Sequence, residues 1–466
     1  MSKSNIEISQ PQNSMQIKQQ KYNQAKIQQF KPLISNGKLE IQSIDSLKSL
    51  DFIESLDIEK LEIFNCKNIQ SKLSSESITD LTIENCALEN IDFTLNNIQI
   101  LNLSNNNLST SVTICSSSFK QLKELYLNGN KKLNINNIQG LSQLQKLNMA
   151  NCDVYDITGL CELKNLREMC LDENDVDLSS IGCLNLEKLY LNKCNIRGVQ
   201  ELHEMIGLKE LTLSNNIIDI APLKTLIQLT KLELSSCSIK NVDALKNMTN
   251  LIELDISSNL NIDINGLQSL TQLKYLRLSF CDLKNICSLR YLNENLSILY
   301  LTYNENVDLT PLQFLTKLTK LFLGHCCIKN IYTLSSLINL NVLHLEQNQI
   351  VYIEPLKELK KLQELKVQYN KILDLQHIQN LNIISCESWD QKQPSQLELN
   401  LANMAKDINN VVITRRKIKQ RYANIKLYIQ ITKQSVLLQQ QKAYDNLLLL
   451  TNMAAYLFQT LINDSQ

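Results

Sequence analysis

Apolar residues recur along this chain with two superposed spacings. A short alternation, Leu-x-Leu, marks strands with one buried face. A longer return of the same string marks a repeating unit. The string is L-x-x-L-x-L-x-x-(N/C)-x-L, positions 1 to 11 of each unit, with clear copies beginning at Leu122, Leu144, Leu208, Leu251, Leu318 and Leu340. Position 4 falls at residues 39, 61, 81, 101, 125, 147, 169, 189, 211, 232, 254, 276, 299, 321, 343 and 365, which makes sixteen units of about 22 residues. It is Leu in every unit but one, where Met169 stands, and position 6 stays apolar from Ile41, Ile63 and Ile83 through to Val367.

Each unit has a physical logic. The alternating leucines predict a short strand, and the Asn or Cys at position 9 turns inward to bond backbone groups freed by the turn. Beyond the turn an apolar residue recurs every third position, as in Ile239, Val242, Leu245 and Met248, a spacing that suits a 3₁₀ return. One unit cannot bury its own leucines, whereas stacked units share one continuous core. The expected fold is an α/β repeat solenoid, a leucine-rich-repeat arc with a parallel β-sheet on its concave face, followed by a C-terminal α-helical segment.

The period, together with Pro-Leu in IDIAPLKTL, VDLTPLQFL and YIEPLKEL, resembles the leucine-rich repeats of the protein phosphatase 1 regulatory-subunit class. It is also similar to the repeats of bacterial internalins. The resemblance covers residues 39–370 and implies a binding module, with a phosphatase catalytic subunit as the partner of the first class. Internalins are secreted, and the opening residues contain no apolar run that could serve as an export signal.

A second period overlies the first. From Cys152, position 9 alternates Cys152, Asn174, Cys194, Asn216, Cys237, Asn259, Cys281, Asn304, Cys326, Asn348, so the duplicated element is a pair of units. Alternate coils hold their cysteines about 9–10 Å apart, beyond the ~7 Å at which Cα atoms can be bridged. Only Cys66 and Cys86, on consecutive coils, come near enough to pair, and the expectation is buried free thiols in a reducing compartment.

Candidate chemistry is sparse. His325-Cys326-Cys327 resembles a metal cluster, but on a strand-to-turn segment the first side chain points out and the second inward. There is no Gly-rich phosphate loop, H-E-x-x-H or G-x-S-x-G, and only 9 Gly in 466 residues argues against the loops and hinges of an enzyme. No cofactor or metal is expected.

The outward strand positions carry more information. Position 3 reads Glu124, Lys146, Glu168, Lys188, Glu210, Lys231, Glu253, an alternating ladder of charge pairs across neighbouring strands. Toward the C-terminal end, positions 3, 5 and 8 become Tyr275, Arg277, Phe280, Tyr300, Tyr303, Phe322, His325, His344 and Tyr369. Tyr and Arg dominate binding hot spots, and an exposed aromatic patch calls for a cover. These nine residues are the candidate partner-binding site, with Glu233, Glu253 and Asp255 beside them to select basic partners.

Charge divides the chain. The 47 basic and 47 acidic residues balance, but residues 1–38 and 390–466 are each basic, leaving an acidic middle. The expected domains are a basic, Gln/Lys-rich lead-in or N-terminal cap over 1–38, the solenoid over 39–389, and a helical cap or coiled-coil-like hairpin over 390–466. In the last of these, Met404, Ile408, Val411, Ile418, Tyr422, Ile425 and Ile429 follow helical spacing, open to docking on the last coil or to pairing in a homodimer. The run Arg415, Arg416, Lys417, Lys419 and Arg421 leaves a nucleic-acid or nuclear-import role as an alternative. No apolar stretch reaches the 18 residues of a membrane span. The function expected from sequence is a non-catalytic, cytoplasmic protein-binding scaffold, with the nucleus as the other location. The alternatives are a phosphatase regulatory subunit and a nucleic-acid-associated protein.

Overall fold

Leucine periodicity becomes strand periodicity without slippage. The computed structural model describes residues 12–372, 378 and 381, apart from 45–46, 68, 70–71, 109–113, 115–117, 132–137 and 139. The segment 390–466, with its expected helices and basic run, lies outside the described residues. The described chain divides into two units between Asn216 and Ile217.

A 16-stranded parallel sheet runs through the repeats in chain order. The first unit supplies strands from Lys38–Gln42 to Glu210–Thr212, and the second those from Lys231–Glu233 to Glu364–Lys366. Each strand contains one position-4 residue, and like pairs with like: Leu39 opposite Leu61, Leu147 opposite Met169, Leu343 opposite Leu365. The side chains at positions 4 and 6 are at most 1% exposed throughout. The first unit carries a second, two-stranded parallel sheet, Lys72–Ser74 against Asp92–Thr94.

The returns are mostly short 3₁₀ helices, as the every-third spacing predicts. In Ala221–Thr225, Thr310–Phe314 and Glu354–Glu358 a proline occupies the first turn, where a missing N–H costs nothing. That placement accounts for the Pro-Leu pairs in these three returns.

Position 9 fastens coil to coil. Asn174 Oδ1 accepts from the Cys152 and Val154 amides at 2.9 Å, and its Nδ2 donates to the carbonyls of Met149 and Leu171 at 2.9 and 2.8 Å. Asn259 repeats the pattern in the second unit with Cys237, Ile239, Leu234 and Ile256. The alternate cysteines point the same way: Cys152 Sγ donates to Leu127 O at 3.2 Å and Cys326 Sγ to Leu301 O at 3.2 Å.

The N-terminal region contains a helix, Gln12–Phe30, docked on the first coil. Phe30 is 1% exposed and stacks on Phe52 at 5.4 Å, while the Lys48 amide donates to the Tyr22 hydroxyl at 3.1 Å. The leucines of the first coil are thereby covered.

One expectation is overturned. A disulfide joins Cys161 to Cys183, with Cα atoms 5.4 Å apart, whereas Cys66 and Cys86 are free buried thiols. The bonded pair lies in the returns Thr158–Glu162 and Leu178–Cys183, at one repeat position on consecutive coils. Adjacency brings them together as it does Cys66 and Cys86. The latter pair is engaged otherwise: Cys86 Sγ donates to Glu84 O at 3.2 Å and accepts from the Cys66 amide.

Two outcomes follow for stability. Asn259→Ala strands the Cys237 and Ile239 amides and should cost roughly 1–3 kcal/mol for each buried group left unpaired, read by urea unfolding. Burial pushes the thiols of Cys86, Cys152, Cys194, Cys281 and Cys326 from the ordinary 9.0 up to about 11. The folded state therefore holds these protons more tightly. Their contribution is intact below about pH 9 and is lost between about 9 and 11, so a pH series of melts should show a decline beginning there. At pH 8 a maleimide should modify exposed Cys287 and spare these five.

Candidate functional site

The strand face of the second unit is built from positions 3, 5, 7 and 8, whose side chains leave the sheet away from the leucine core. Position 5 lines up Arg277, Tyr300, Phe322 and His344 on neighbouring strands. Tyr300 and Phe322 are stacked, with centroids 4.1 Å apart and planes 3° apart, and His344 meets Phe322 edge-on at 4.7 Å. Tyr275, at position 3, leans on Tyr300 at 5.5 Å. Arg277 closes the near end of the row, its guanidinium 5.1 Å and 4.9 Å from the Tyr275 and Tyr300 centroids and its Nε donating to the Tyr275 hydroxyl.

Position 8 forms a second row. Phe280 stacks on Tyr303 at 4.1 Å and Tyr303 on His325 at 4.0 Å, with the Tyr303 hydroxyl 3.1 Å from His325 Nε2. Between the rows, position 7 carries only Ser279, Thr302 and Gly324. Eight of the nine sequence-predicted residues thus belong to two adjoining rows. Tyr369 holds position 8 two coils beyond His325, with Gln347 at that position on the coil between them.

Two features of this face cannot be read from its own residue types. Three pairs, Tyr300–Phe322, Phe280–Tyr303 and Tyr303–His325, lie face against face along the direction in which strands are added, so these rings offer solvent their edges rather than their π-faces. Ring edges carry the positive part of the quadrupole. The second feature is backbone conformation. Position 8 is left-handed in all sixteen units, with φ from +54° to +80°. In the first unit Asn65, Asn85, Asn105, Gly129, Asn151 and Asn215, residue types that tolerate this region, fill it beside Ser43, Glu173 and Lys193. Phe280, Tyr303, His325 and Tyr369 hold it in the second, at a cost of roughly 1–2 kcal/mol each. Phe280 and Tyr303 are nonetheless 48% and 41% exposed.

Beside the rows lies a notch of about 200 Å³ lined by Lys231, Glu233, Glu253, Asp255, Tyr275 and Arg277. Lys231 Nζ is 2.9 Å from Glu233, and Arg277 Nη1 is 3.8 Å from Asp255. Burial and the Tyr300 hydroxyl push the Tyr275 phenol up to about 12 against the opposing pull of Arg277, so it stays a neutral donor near pH 7.

The position-3 charge ladder is present in pairs rather than as an unbroken run. Lys146–Glu168 and Lys188–Glu210 close at 2.7 and 2.6 Å, but Glu124 accepts from the hydroxyl of Tyr126 on its own strand. His325, Cys326 and Cys327 diverge as their alternation predicts: Cys326 is buried while His325 stacks on the surface. Among the described residues no helix is long and apolar enough to cross a membrane.

Repeat, register and turn bonding together define a leucine-rich-repeat solenoid. No protein-family model matches the sequence, but solved structures share the fold. A leucine-rich-repeat protein of Leptospira interrogans is 24% identical with a TM-score of 0.57, covering 72% of this chain and 84% of that one. The functional domain of InlJ from Listeria monocytogenes, described as including a cysteine ladder, is 22% identical with a TM-score of 0.52, covering 69% and 70%. TLR13, in the TLR13–ssRNA13 complex, is 22% identical with a TM-score of 0.56, covering 75% of this chain and 61% of that one.

Since the aromatic rows are surface features and the position-8 row sits on a left-handed backbone, altering that row should barely affect folding. Phe280→Asn loses one stacked pair, about 0.5–1.5 kcal/mol, and relieves a left-handed aromatic of similar cost. Its unfolding midpoint should stay close to wild type, whereas Leu276→Ala, in the core, should lose roughly 2–5 kcal/mol.

Proposed function

We propose that this chain is a non-catalytic binding scaffold that holds a protein partner on the strand face of its second unit, with Tyr300, Tyr303 and Phe322 as anchors. The observation that carries this reading is the pair of stacked aromatic rows, one of which keeps Phe280 and Tyr303 exposed at left-handed positions that the first unit fills mostly with Asn or Gly. A backbone cost without a gain in burial is typical of functional surfaces. The orientation of the rings favours protein over nucleic acid. Bases bind aromatic side chains through ring faces, and here both faces of Tyr303 and one face each of Tyr300, Phe322, Phe280 and His325 are occupied by a neighbouring ring.

The cytoplasmic location expected from sequence stands against one structural observation. A disulfide such as Cys161–Cys183 persists chiefly in oxidising compartments. Alkylation of the protein in its native source before lysis, followed by non-reducing peptide mapping, decides between the two.

The binding reading is tested by affinity capture from native extract, with wild type beside a Tyr300→Ala, Tyr303→Ala, Phe322→Ala variant and a Tyr155→Ala, Tyr352→Ala control. The control removes aromatics that are 62% and 67% exposed but lie outside the rows. A partner retained by wild type and control should be lost by the row variant, with affinity reduced by about 2 kcal/mol or more for a hot spot. Equal retention by all three would remove the aromatic face from consideration.

A further inference from the structure

We infer that the partner presents a basic side chain, Arg or Lys, to the notch at Glu253, and about three residues further along an aromatic side chain that lies on the edges of the Tyr300 and Phe322 rings. This rests on the binding reading above and specifies its chemistry.

The charge ladder supplies the first argument. Glu253 pairs in register with Lys231 on one side and Tyr275 on the other. The Lys231 ammonium is drawn to Glu233 on its own strand, and Tyr275 brings no charge. Among the described residues no hydrogen bond or ion pair reaches the Glu253 carboxylate. Glu253 is thus an unanswered negative charge at the foot of the aromatic rows.

The other cation lining the notch is committed elsewhere. Arg277 is held over two tyrosine rings and bonded to the Tyr275 hydroxyl, which leaves Asp255 only the long 3.8 Å approach. The notch therefore sets three carboxylates, Glu233, Glu253 and Asp255, against two cations, Lys231 and Arg277. Its volume of about 200 Å³ falls below the roughly 300–1,000 Å³ of small-molecule sites and suits one long side chain. An incoming guanidinium or ammonium would balance the charge and bury its methylenes against Tyr275.

The rows supply the second half of the recognition. Their outward ring edges complement the negative face of a partner's aromatic ring, the edge-to-face arrangement that aromatic pairs favour. From the notch, between strands Glu253–Asp255 and Tyr275–Arg277, to the Tyr300–Phe322 stack is a shift of two strands, or ~10 Å. An extended peptide covers that span in about three residues. The expected motif is a basic residue, two of any type, then an aromatic.

The experiment is selection of random dodecapeptides displayed on phage against the full chain, with Glu253→Gln and Phe322→Ser chains in parallel. Circular dichroism would verify that all three fold. Enriched peptides should carry the motif, and a synthetic copy should bind at least tenfold more weakly to Glu253→Gln by fluorescence anisotropy. Changing its basic residue to Gln should produce the same loss. Enriched peptides that lack a basic residue, or that bind Glu253→Gln as well as wild type, overturn the inference. If those peptides are still lost on Phe322→Ser, the aromatic face survives without the basic requirement; if they ignore Phe322→Ser as well, both fall. No enrichment at all also overturns the inference, and the capture experiment with the triple variant then decides the binding reading separately.

Discussion

The structure depends on a carboxamide. Each coil of a parallel solenoid must reverse direction through a tight turn whose amides and carbonyls face inward, where water cannot serve them. An Asn at position 9 answers both needs, accepting two amides from the preceding coil and donating to carbonyls of both coils. A thiol can do less, since sulfur donates and accepts weakly. Alternating Cys with Asn is sufficient because, from Cys152 onward, every cysteine coil is followed by a coil whose Asn accepts its amide, as Asn304 does for Cys281 and Leu283. With the turns fixed in this way, the leucines have no choice of register, and the strand face is presented as a fixed lattice.

That lattice explains why so few residues can make a site. Side chains at one position on successive strands are held close enough to stack, so four substitutions at position 5 and three at position 8 build continuous rows without any change of fold. The rows then alter the electrostatics of the surface. Ring faces are consumed internally, edges point outward, and the one guanidinium at the near end is absorbed by the first two rings. What remains for a partner is an apolar ridge with a mildly positive rim, bordered by carboxylates.

Much of this was open to inspection in the sequence. The position-4 residues from Leu39 to Leu365 each lie in a strand, because a period-two alternation repeated at constant length admits only one stacking register. The aromatic cluster was legible for the same reason: fixed positions on adjacent strands are neighbours. Periodicity places a Cα, however, and not a ring plane. Nothing in the letters Tyr300 and Phe322 distinguishes stacked rings from splayed ones, since that choice belongs to side-chain torsions. The left-handed conformation at position 8 was signalled by Asn65, Asn85, Asn105 and Gly129, and was obscured in the second unit by the aromatics themselves. Cys161 and Cys183 lie in the returns, away from the alternating turn position, and one repeat spacing apart is the only mark the sequence gives of the pair.

That bond changes the mechanical character of one coil. A solenoid pulled from its ends gives way coil by coil, since each unit leans only on its neighbours. Cys161 and Cys183 are separated by 22 residues, one complete circuit of the repeat, so the bond closes this stretch into a covalent ring. Under tension the ring can tilt and shed its hydrogen bonds, but it cannot pay out its contour, about 70 Å at the extension of a free chain. The backbone would transmit load straight across the bond, giving the first unit a length-limiting clasp that the second unit, among its described residues, does not have.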